Sequence, residues 1–441
     1  MSCRYRVARA GLAVLAMCVL PWGYSWADAK SVPEFPTVAP ESVGFSSERL
    51  ALVDGYVAKQ IAMGRLPGVS LLVMRHGKIF FQKAYGKADL DTGTPLKLNN
   101  LFRIYSQSKP VTAVALMILF EQGKWHFDDP VTKFIPEFEH LRVFTGVGPD
   151  GSLQTEPISR PPTMRELVTH SAGFAYGLDR SSPVESAWFD ANFMRAADTD
   201  HAIAKIAALP MFAQPGQHWH YSAAVDIQGY IIERLSGQSL ADFMQTHIFG
   251  PLGMNDTAFY VPAEKRSRLV GMKQIEGKSL QPVPPEAILN FDYTKPPKVD
   301  SGGAGLVSSL HDYARFAQML ARGGELDGVR ILSPAAVRLI DSNQLADDIR
   351  AKPESFSVLS GAGFGVDVSV TLDTAKAGTL GGAGLFGWGG AAGTNFWVDP
   401  SNDVVYVSMM QVLQRWQDPL LKDFDNDMAA LVYAALLDPK K

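Results

Sequence analysis

Hydrophobic and polar positions near the N-terminus follow first a helical and then a strand-like spacing. Between residues 47 and 63, apolar side chains recur every three or four positions, and Gly64 follows them. Two strand-like runs come next, at residues 68–75 and 79–85, with His76-Gly77-Lys78 between them. A three-residue connection that contains glycine is typical of a β-hairpin. The pattern therefore predicts a helix followed by a hairpin.

The middle of the chain, from about residue 106 to 293, has a different pattern. Helical segments alternate there with loops rich in proline and glycine, and the pattern predicts helices at 163–169, 201–209 and 225–235. Beyond this region, Ser309 and Asp312 have the spacing of a capping box that opens a helix running to about residue 321.

Strand-like runs return towards the C-terminus, at residues 363–371, 384–391, 394–398 and 404–411. A last amphipathic helix is predicted at 419–436. We expect the strands near both termini to join in one antiparallel sheet flanked by helices, an α/β (α+β) fold. Residues 28–105 and 296–441 would be the two parts of this α/β domain, and residues 106–295 a mainly helical domain.

Residues 1–27 have the three parts of a secretory signal peptide. Three arginines precede an apolar core at residues 10–20, and Ser25-Trp26-Ala27 forms a small-x-small cleavage site. The apolar core is too short to span a bilayer, and no later stretch is apolar enough to do so. We therefore expect a protein without stable membrane insertion, exported to the periplasm or secreted after cleavage near Ala27.

Charge and cysteine content narrow the possible functions. The two cysteines, Cys3 and Cys18, both lie in the predicted signal, so the mature chain would have no disulfide, thiol nucleophile or thiolate metal site. Cleavage removes three arginines and no acidic residue, which changes the net charge from −4 to −7. We expect no nucleic-acid partner. His218 and His220 lack a further ligand cluster, so no metal and no cofactor are expected.

Ser106 and Lys109 are the first residues that point to chemistry. They lie three positions apart where Pro110 and a following apolar run predict the start of a helix, so that the amine can reach the hydroxyl and take its proton. Unpaired N–H groups at a helix N-terminus also stabilise a developing negative charge. The alternative is that Ser106 only caps the helix and Lys109 is solvated.

Two later segments add candidate groups. Tyr221 ends a loop just before the helix predicted at 225–235, and its phenol could exchange a proton with Lys109 and Ser106. Residues 386–394 form a glycine-dense strand. Glycines weaken a strand unless another backbone or a ligand approaches closely, so an acyl group bound against this strand would explain them.

The order of the motifs SxxK, YSx and WGG resembles the serine β-lactamase and penicillin-binding-protein superfamily. Within it, the chain is most similar to the family VIII carboxylesterases, which are like class C β-lactamases. The segments at 167–173, 249–254 and 301–306 also resemble this superfamily. The resemblance covers nearly the whole mature chain and implies a β-lactamase-like, transpeptidase-like fold.

The resemblance also implies roles for residues of this chain. Ser106 would be the nucleophile, Lys109 its base partner and Tyr221 the second proton-transfer group. The backbone N–H groups of Ser106 and Ala391 would form the oxyanion hole. Which of Lys109 and Tyr221 deprotonates Ser106 stays open.

Substrate-binding residues are expected on the strand and beside the nucleophile. The resemblance places Trp388, Gly389 and Gly390 against the bound acyl group. Tyr105 and Gln107 flank Ser106 and are candidates to line the cleft, with packing as the alternative.

Two departures from the superfamily pattern bear on the substrate. Ala223 stands where an asparagine is usual, and Trp388 stands where a KTG-like triad would place a lysine. The groups that would hold a substrate amide and a substrate carboxylate are both missing. The sequence therefore predicts a serine hydrolase that cleaves short- to medium-chain carboxylic esters, small neutral molecules, through an acyl-enzyme on Ser106.

Two other functions stay open, as does the oligomeric state. An amide-directed relative would be a β-lactamase, a D-alanyl-D-alanine carboxypeptidase or an aminohexanoate-oligomer hydrolase. A non-catalytic, cell-wall-binding relative is the second alternative, although such proteins are expected to lose the nucleophile or the lysine.

Overall fold

The computed structural model describes residues 33–284, 291–350, 352 and 360–441, and residues Phe35–Lys441 belong to one structural unit. The predicted signal peptide, residues 1–27, lies outside the described residues. The helices, in chain order, are α1 (Ser47–Ala62), α2 (Lys109–Glu121), α3 (Met164–Val168), α4 (Pro183–Ala191), α5 (Thr199–Ala208), α6 (Ala224–Ser236), α7 (Leu240–Met244), α8 (Gly250–Leu252), α9 (Leu310–Ala321), α10 (Pro334–Ile340), α11 (Asp347–Arg350), α12 (Thr374–Ala377) and α13 (Phe424–Ala434).

Strands from both ends of the chain form the main sheet. The strands, in chain order, are β1 (Gly68–Arg75), β2 (Lys78–Gly86), β3 (Leu101–Arg103), β4 (Arg142–Val147), β5 (Leu153–Pro157), β6 (Lys273–Glu276), β7 (Ser279–Pro282), β8 (Val307–Ser309), β9 (Glu325–Leu326), β10 (Val329–Arg330), β11 (Ala362–Phe364), β12 (Ser369–Thr371), β13 (Phe386–Gly389), β14 (Asn395–Asp399), β15 (Val404–Met409) and β16 (Val412–Leu413).

Seven of these strands pair antiparallel in the order β11-β12-β13-β14-β15-β1-β2. The junction between the two chain ends is the pairing of β1 with β15, in which Ser70 lies opposite Met409. The predicted fold class, with one antiparallel sheet built from both ends of the chain, is therefore confirmed.

Helices cover both faces of this sheet. Every residue of β1 is buried, and successive side chains point to opposite faces. Leu72 and Met74 pack in the cluster that contains α2 and α9, whereas Leu71 and Val73 pack in the cluster that contains α1 and α13. A strand covered on both faces needs apolar residues at every position, which explains the continuous run in the sequence.

Helix α2 crosses the core and carries Lys109 at its first position. Nearly all of its residues are buried, as expected for a helix that is apolar on all sides. It packs on α6. Trp125, which lies just beyond the C-terminal end of α2, donates its indole N–H to the Leu116 carbonyl at 2.8 Å. Among the described residues, no helix combines the length and the apolarity needed to cross a membrane.

Two sequence predictions differ from the structure. Residues 363–371, predicted as one strand, form β11 and β12 with a turn between them. Asp367 has φ 56° there, and a Cβ on Gly365 would lie 1.9 Å from the Ile340 carbonyl oxygen, so the chain turns where it meets α10. The last helix begins at Phe424 rather than 419, because Asp418 accepts from Leu420 N–H and pairs with Arg65.

Candidate active site

Ser106 lies in a 3-10 turn, Tyr105–Ser108, that leads directly into α2. The helix therefore starts three residues later than the predicted position, and Ser106 belongs to the turn before it. Tyr105 has φ 43°, a left-handed conformation that is uncommon for a residue with a side chain. Ser106 is half-buried, while Tyr105 and Gln107 on either side are buried. The turn thus leaves Ser106 partly accessible between two buried neighbours.

The side chains beside the nucleophile are packed in the interior. The Tyr105 ring contacts Tyr293 edge-on at 6.4 Å, and the Gln107 carbonyl accepts from the Tyr313 hydroxyl at 2.8 Å. The Gln107 amide group has no hydrogen-bond partner among the described residues. Tyr105 and Gln107 as cleft-lining residues therefore stay a prediction.

Lys109 is fully buried, which contradicts the alternative that it is a solvated residue. Its Nζ donates to the Gly303 carbonyl at 2.8 Å and to the Tyr176 hydroxyl at 3.4 Å. The same atom lies 5.0 Å from the ring centre of Tyr176 and 4.6 Å from that of Tyr221, where the face of an aromatic ring attracts a cation. None of the ion pairs in the described part of the chain includes Lys109.

The hydroxyl of Ser106 makes no hydrogen bond with the described residues. Lys109 Nζ donates instead to Gly303 and Tyr176 and lies over the ring of Tyr221. In enzymes without substrate, the hydrogen bonds used in catalysis are often long and tighten only when the substrate binds. The structure does bring Lys109 next to Tyr221, which lies more than a hundred residues further along the chain.

Tyr221 is half-buried at the end of a loop, directly before α6. Its neighbours fix the backbone on both sides: His220 N–H donates to the His170 carbonyl at 2.9 Å, and Ser222 N–H donates to His170 Nδ1 at 3.1 Å. The indole N–H of Trp388 donates to the Tyr221 hydroxyl at 3.4 Å. The phenol therefore has a defined place between α2 and β13.

His170 is a site residue that the sequence analysis did not select. It is fully buried, has φ 57° and packs its ring 4.8 Å from the Tyr221 ring. Burial lowers the pKa of His170 well below its usual range, and the charges of Lys109 and His220 lower it further. Because Nδ1 accepts from Ser222 N–H, the neutral ring carries its proton on Nε2. His170 lies in segment 167–173, which resembles the superfamily, and this resemblance could have identified it as a site residue.

Tyr176 and Asp226 also belong to this site and were not predicted. Asp226 Oδ1 accepts from Gly303 N–H at 3.2 Å and from the Ser301 hydroxyl, so it anchors the loop whose carbonyl binds Lys109. Burial raises the pKa of the Tyr176 phenol well above its usual range, and the charges of Asp226 and Tyr221 add to this effect. Tyr176 therefore stays protonated at neutral pH.

Gly303 shows how closely these groups approach. A Cβ at this position would lie 2.6 Å from Asp226 Oδ2 and 2.7 Å from the Tyr176 hydroxyl, so a larger residue would displace these groups. The Gly303 carbonyl is at the same time the nearest acceptor of Lys109 Nζ.

The glycine-dense strand ends against the nucleophile turn. A Cβ on Gly390 would lie 2.2 Å from the Ile104 carbonyl oxygen, two residues before Ser106, so another backbone approaches there. The acyl group suggested from the sequence as the reason for the glycines stays a prediction. Gly390 N–H donates to the Thr394 carbonyl at 2.7 Å. The next N–H, that of Ala391, has no acceptor within the part of the chain that the structure describes. It remains the predicted second donor of the oxyanion hole.

An aromatic wall, defined here as Trp219, Tyr221, Phe364 and Trp388, lies beside these groups. The Trp388 ring is 5.3 Å from Phe364, which is 5.6 Å from Trp219. Leu345 and Ile349 pack behind the wall. At the position where the superfamily pattern has a lysine, this site therefore presents a neutral, apolar surface.

The structure gives no sign of a metal centre in the described residues, where no three His, Cys, Asp or Glu side chains are grouped to hold an ion. His220, one of the two histidines of the HxH segment, has its Nε2 2.6 Å from Glu185 Oε1 and its ring stacked on Phe212 at 3.7 Å. The His220 ring is thus held by Glu185 and Phe212.

Comparison with known proteins places this site in a family. The beta-lactamase family model matches residues 53–429. The chain belongs to the beta-lactamase family. It is similar to Protein Rv1367c of Mycobacterium tuberculosis, with 36% identity over 79% of this chain and 86% of that protein. It is also similar to Esterase EstB of Burkholderia gladioli, with 32% identity over 79% of this chain and 87% of that protein.

A solved structure of the same fold is that of EstCE1, described as a hydrolase with promiscuous acyltransferase activity. The TM-score is 0.72 at 25% sequence identity, and the alignment covers 88% of this chain and 99% of that one. The predicted family, the predicted fold and the prediction that the chain is an enzyme are confirmed by these matches.

Proposed function

We propose that this beta-lactamase family enzyme is a serine hydrolase that cleaves carboxylic esters through an acyl-enzyme on Ser106. The observation that carries the proposal is the place of Lys109. It is a fully buried amine, one turn from an accessible serine, held between the phenols of Tyr176 and Tyr221. A buried lysine beside a hydroxyl is an arrangement that activates a nucleophile.

In the first step, Ser106 Oγ attacks the ester carbonyl carbon, and its proton passes to the Lys109–Tyr221 pair. The carbonyl oxygen becomes negative and binds the N–H groups of Ser106 and Ala391. The bond to the leaving alcohol then breaks, and the pair returns the proton to the alcohol oxygen. Water repeats the sequence on the acyl-enzyme, releases the carboxylic acid and restores the Ser106 hydroxyl.

The choice of an ester over an amide rests on the aromatic wall. Trp388 places an indole where a cation would bind a substrate carboxylate, and Ala223 places a methyl group where an amide would bind a peptide-like side chain. A neutral acyl chain of short to medium length is the group that such a surface binds best. The names of Esterase EstB and of the hydrolase EstCE1 support the same choice.

We also propose that the enzyme is exported, with cleavage near Ala27. The support is the composition of residues 1–27. N-terminal sequencing of the protein recovered from a bacterial periplasm or culture medium tests this point, and a protein that retains Met1 in the cytoplasm would contradict it.

The substrate class is tested with three chromogenic or coupled assays on one preparation. We expect turnover of p-nitrophenyl acetate to octanoate esters, with a preference for short or medium chains, and much slower turnover of nitrocefin and of a D-Ala-D-Ala peptide. Ser106→Ala should abolish ester turnover, while Ser279→Ala, at the exposed first residue of β7, should leave it unchanged. A clear preference for either amide substrate would overturn the ester assignment.

A further inference from the structure

One buried carboxylate binds both chain segments that carry the site tyrosines. Glu185, in α4, is 2% exposed. Its Oε2 accepts from the N–H groups of Gly177 at 2.5 Å and Leu178 at 2.9 Å, directly after Tyr176. Its Oε1 lies 2.6 Å from Nε2 of His220, directly before Tyr221. Two loops more than forty residues apart in sequence thus meet on one side chain.

Both charge and packing stabilise the contact between Glu185 and His220. Burial raises the pKa of Glu185, but the hydrogen bond and charge of His220, together with the N–H groups of Leu178 and Gly177, more than offset burial, so that its pKa lies below the ordinary value. The His220 ring is stacked on Phe212 with an angle of 6° between the planes, which fixes its orientation. A hydrogen bond to an ionised group is stronger than one between neutral groups.

The contact between Glu185 and His220 lies next to the space between Tyr176 and Tyr221 that holds Lys109 Nζ. The rings of Tyr176 and Tyr221 are 5.7 Å apart, and Lys109 Nζ faces both of them. Directly after Tyr221 in the chain, the Ser222 N–H donates to His170 Nδ1. Directly before Tyr221 in the chain, His220 is held by Glu185. A change in this contact would therefore move the Tyr221 phenol relative to Lys109.

We propose that Glu185 and His220 are positioning residues, which set the separation of Tyr176 and Tyr221 and through it the orientation of Lys109 towards Ser106. This inference rests on the proposed function of the site. Neither residue is assigned a direct part in proton transfer.

The test compares two replacements of His220. The amide N–H of His220→Gln can take the place of Nε2–H and donate to Glu185, whereas His220→Leu keeps the bulk and removes the donor. Misplacing a reacting group by about 1 Å can cost about a hundredfold in rate, so we expect kcat for p-nitrophenyl butyrate to fall about tenfold or more in His220→Leu. KM should change much less, and His220→Gln should recover most of kcat.

Glu185→Gln provides the second variant, since it keeps the shape but removes the charge that binds the N–H donors of Tyr176, Gly177, Leu178 and His220. We expect its kcat to fall as in His220→Leu. His201→Leu is the matched control, because it breaks an exposed histidine–aspartate pair of similar length, 2.7 Å, at the start of α5. Its kcat should equal that of the wild type. Thermal unfolding of each variant separates a loss of folding from a loss of rate.

The outcomes are distinguishable. Folded His220→Leu and Glu185→Gln variants with wild-type kcat would overturn the inference, as would a folded His220→Gln that is as slow as His220→Leu. If His220→Leu does not fold, Glu185→Gln and His220→Gln decide by the same criteria. Activity that survives in Ser106→Ala would instead refute the proposed function, whereas an inactive Ser106→Ala beside fully active pair variants refutes only the positioning role.

Discussion

The indole N–H of Trp388 donates to the phenol oxygen of Tyr221 at 3.4 Å, so the residue at the motif position of the superfamily's lysine contacts the proposed proton-transfer group. In the proposed mechanism, this contact would couple substrate preference to catalysis. The same tryptophan is part of the aromatic wall and supplies a hydrogen-bond donor to the Tyr221 oxygen.

Trp388→Phe tests this contact, because phenylalanine keeps an aromatic ring against Phe364 and removes the N–H donor. A hydrogen bond contributes about 0.5–1.5 kcal/mol net, which corresponds to a loss of about two- to tenfold in kcat/KM for an ester. Steady-state kinetics on p-nitrophenyl butyrate measure it. An unchanged kcat/KM would show that the indole N–H takes no part.

His170 should be replaceable by asparagine but not by leucine. Asparagine tolerates the left-handed backbone at φ 57° and offers an oxygen close to the place of Nδ1, whereas leucine leaves the Ser222 N–H without an acceptor. An unsatisfied buried donor costs about 1–3 kcal/mol, and this is the expected extra loss of unfolding free energy in His170→Leu relative to His170→Asn. Urea unfolding of the two variants checks it, and equal stabilities would contradict it.

The pH dependence of stability should also change with His170. Its pKa is depressed in the folded protein, whereas an unfolded histidine titrates at about 6.5. Below that pH only the unfolded chain binds the proton, so the contribution of His170 to stability is present above pH 6.5 and lost as the pH falls below it. The stability difference between the wild type and His170→Asn should therefore decrease from pH 7 to pH 5. A constant difference would refute the neutral, buried histidine.

Asp367 should give the opposite pH dependence of stability, with stability lost as the pH rises. Burial raises the pKa of this carboxyl well above its ordinary value, although Gln228 donates to it at 3.0 Å. The unfolded chain ionises above about pH 3.9, so the stability that the protonated carboxyl contributes is lost as the pH rises. Asp367→Asn removes this loss, and we expect it to gain stability relative to the wild type between pH 4.5 and 7.5. Urea midpoints measured across this range test the gain, and a pH-independent difference would contradict it.

Gly390→Ala should inactivate the enzyme by moving the strand away from Ser106. The added Cβ would lie 2.2 Å from the Ile104 carbonyl oxygen, so the backbone of β13 and the nucleophile turn must separate. A shift of about 1 Å can cost about a hundredfold in kcat. Gly55→Ala is the control, because its Cβ meets no atom within 4 Å in α1, and alanine there should stabilise the helix by about 0.5–1 kcal/mol.

Residues close in sequence were the easiest to predict. The hairpin of β1 and β2, the helix α1 and the SxxK spacing all follow from local patterns, and the motif order then placed Tyr221 and Trp388 in one site. The glycine-dense strand indicated a close approach by a backbone or a ligand; at Gly390 a backbone does approach, and the bound acyl group stays a prediction. These predictions depend on periodicity and on backbone sterics, which a sequence displays directly.

The remaining parts of the site depend on contacts that no local pattern displays. Tyr176 and Asp226 meet across Gly303 only because α6 and the loop at 301–306 pack together. His170 was not selected, because its contact with the Ser222 N–H forms between segments about fifty residues apart in sequence. The split of residues 363–371 into two strands likewise follows from contact with α10, which lies outside that segment.

The central claim is tested most directly by trapping the acyl-enzyme. The protein is mixed with a p-nitrophenyl ester, quenched in acid during turnover, and digested for mass spectrometry. We predict an added mass of one acyl group on the peptide that contains Ser106, and no such mass in Ser106→Ala. An acyl group on a different residue, or ester turnover that continues in Ser106→Ala, would contradict the account.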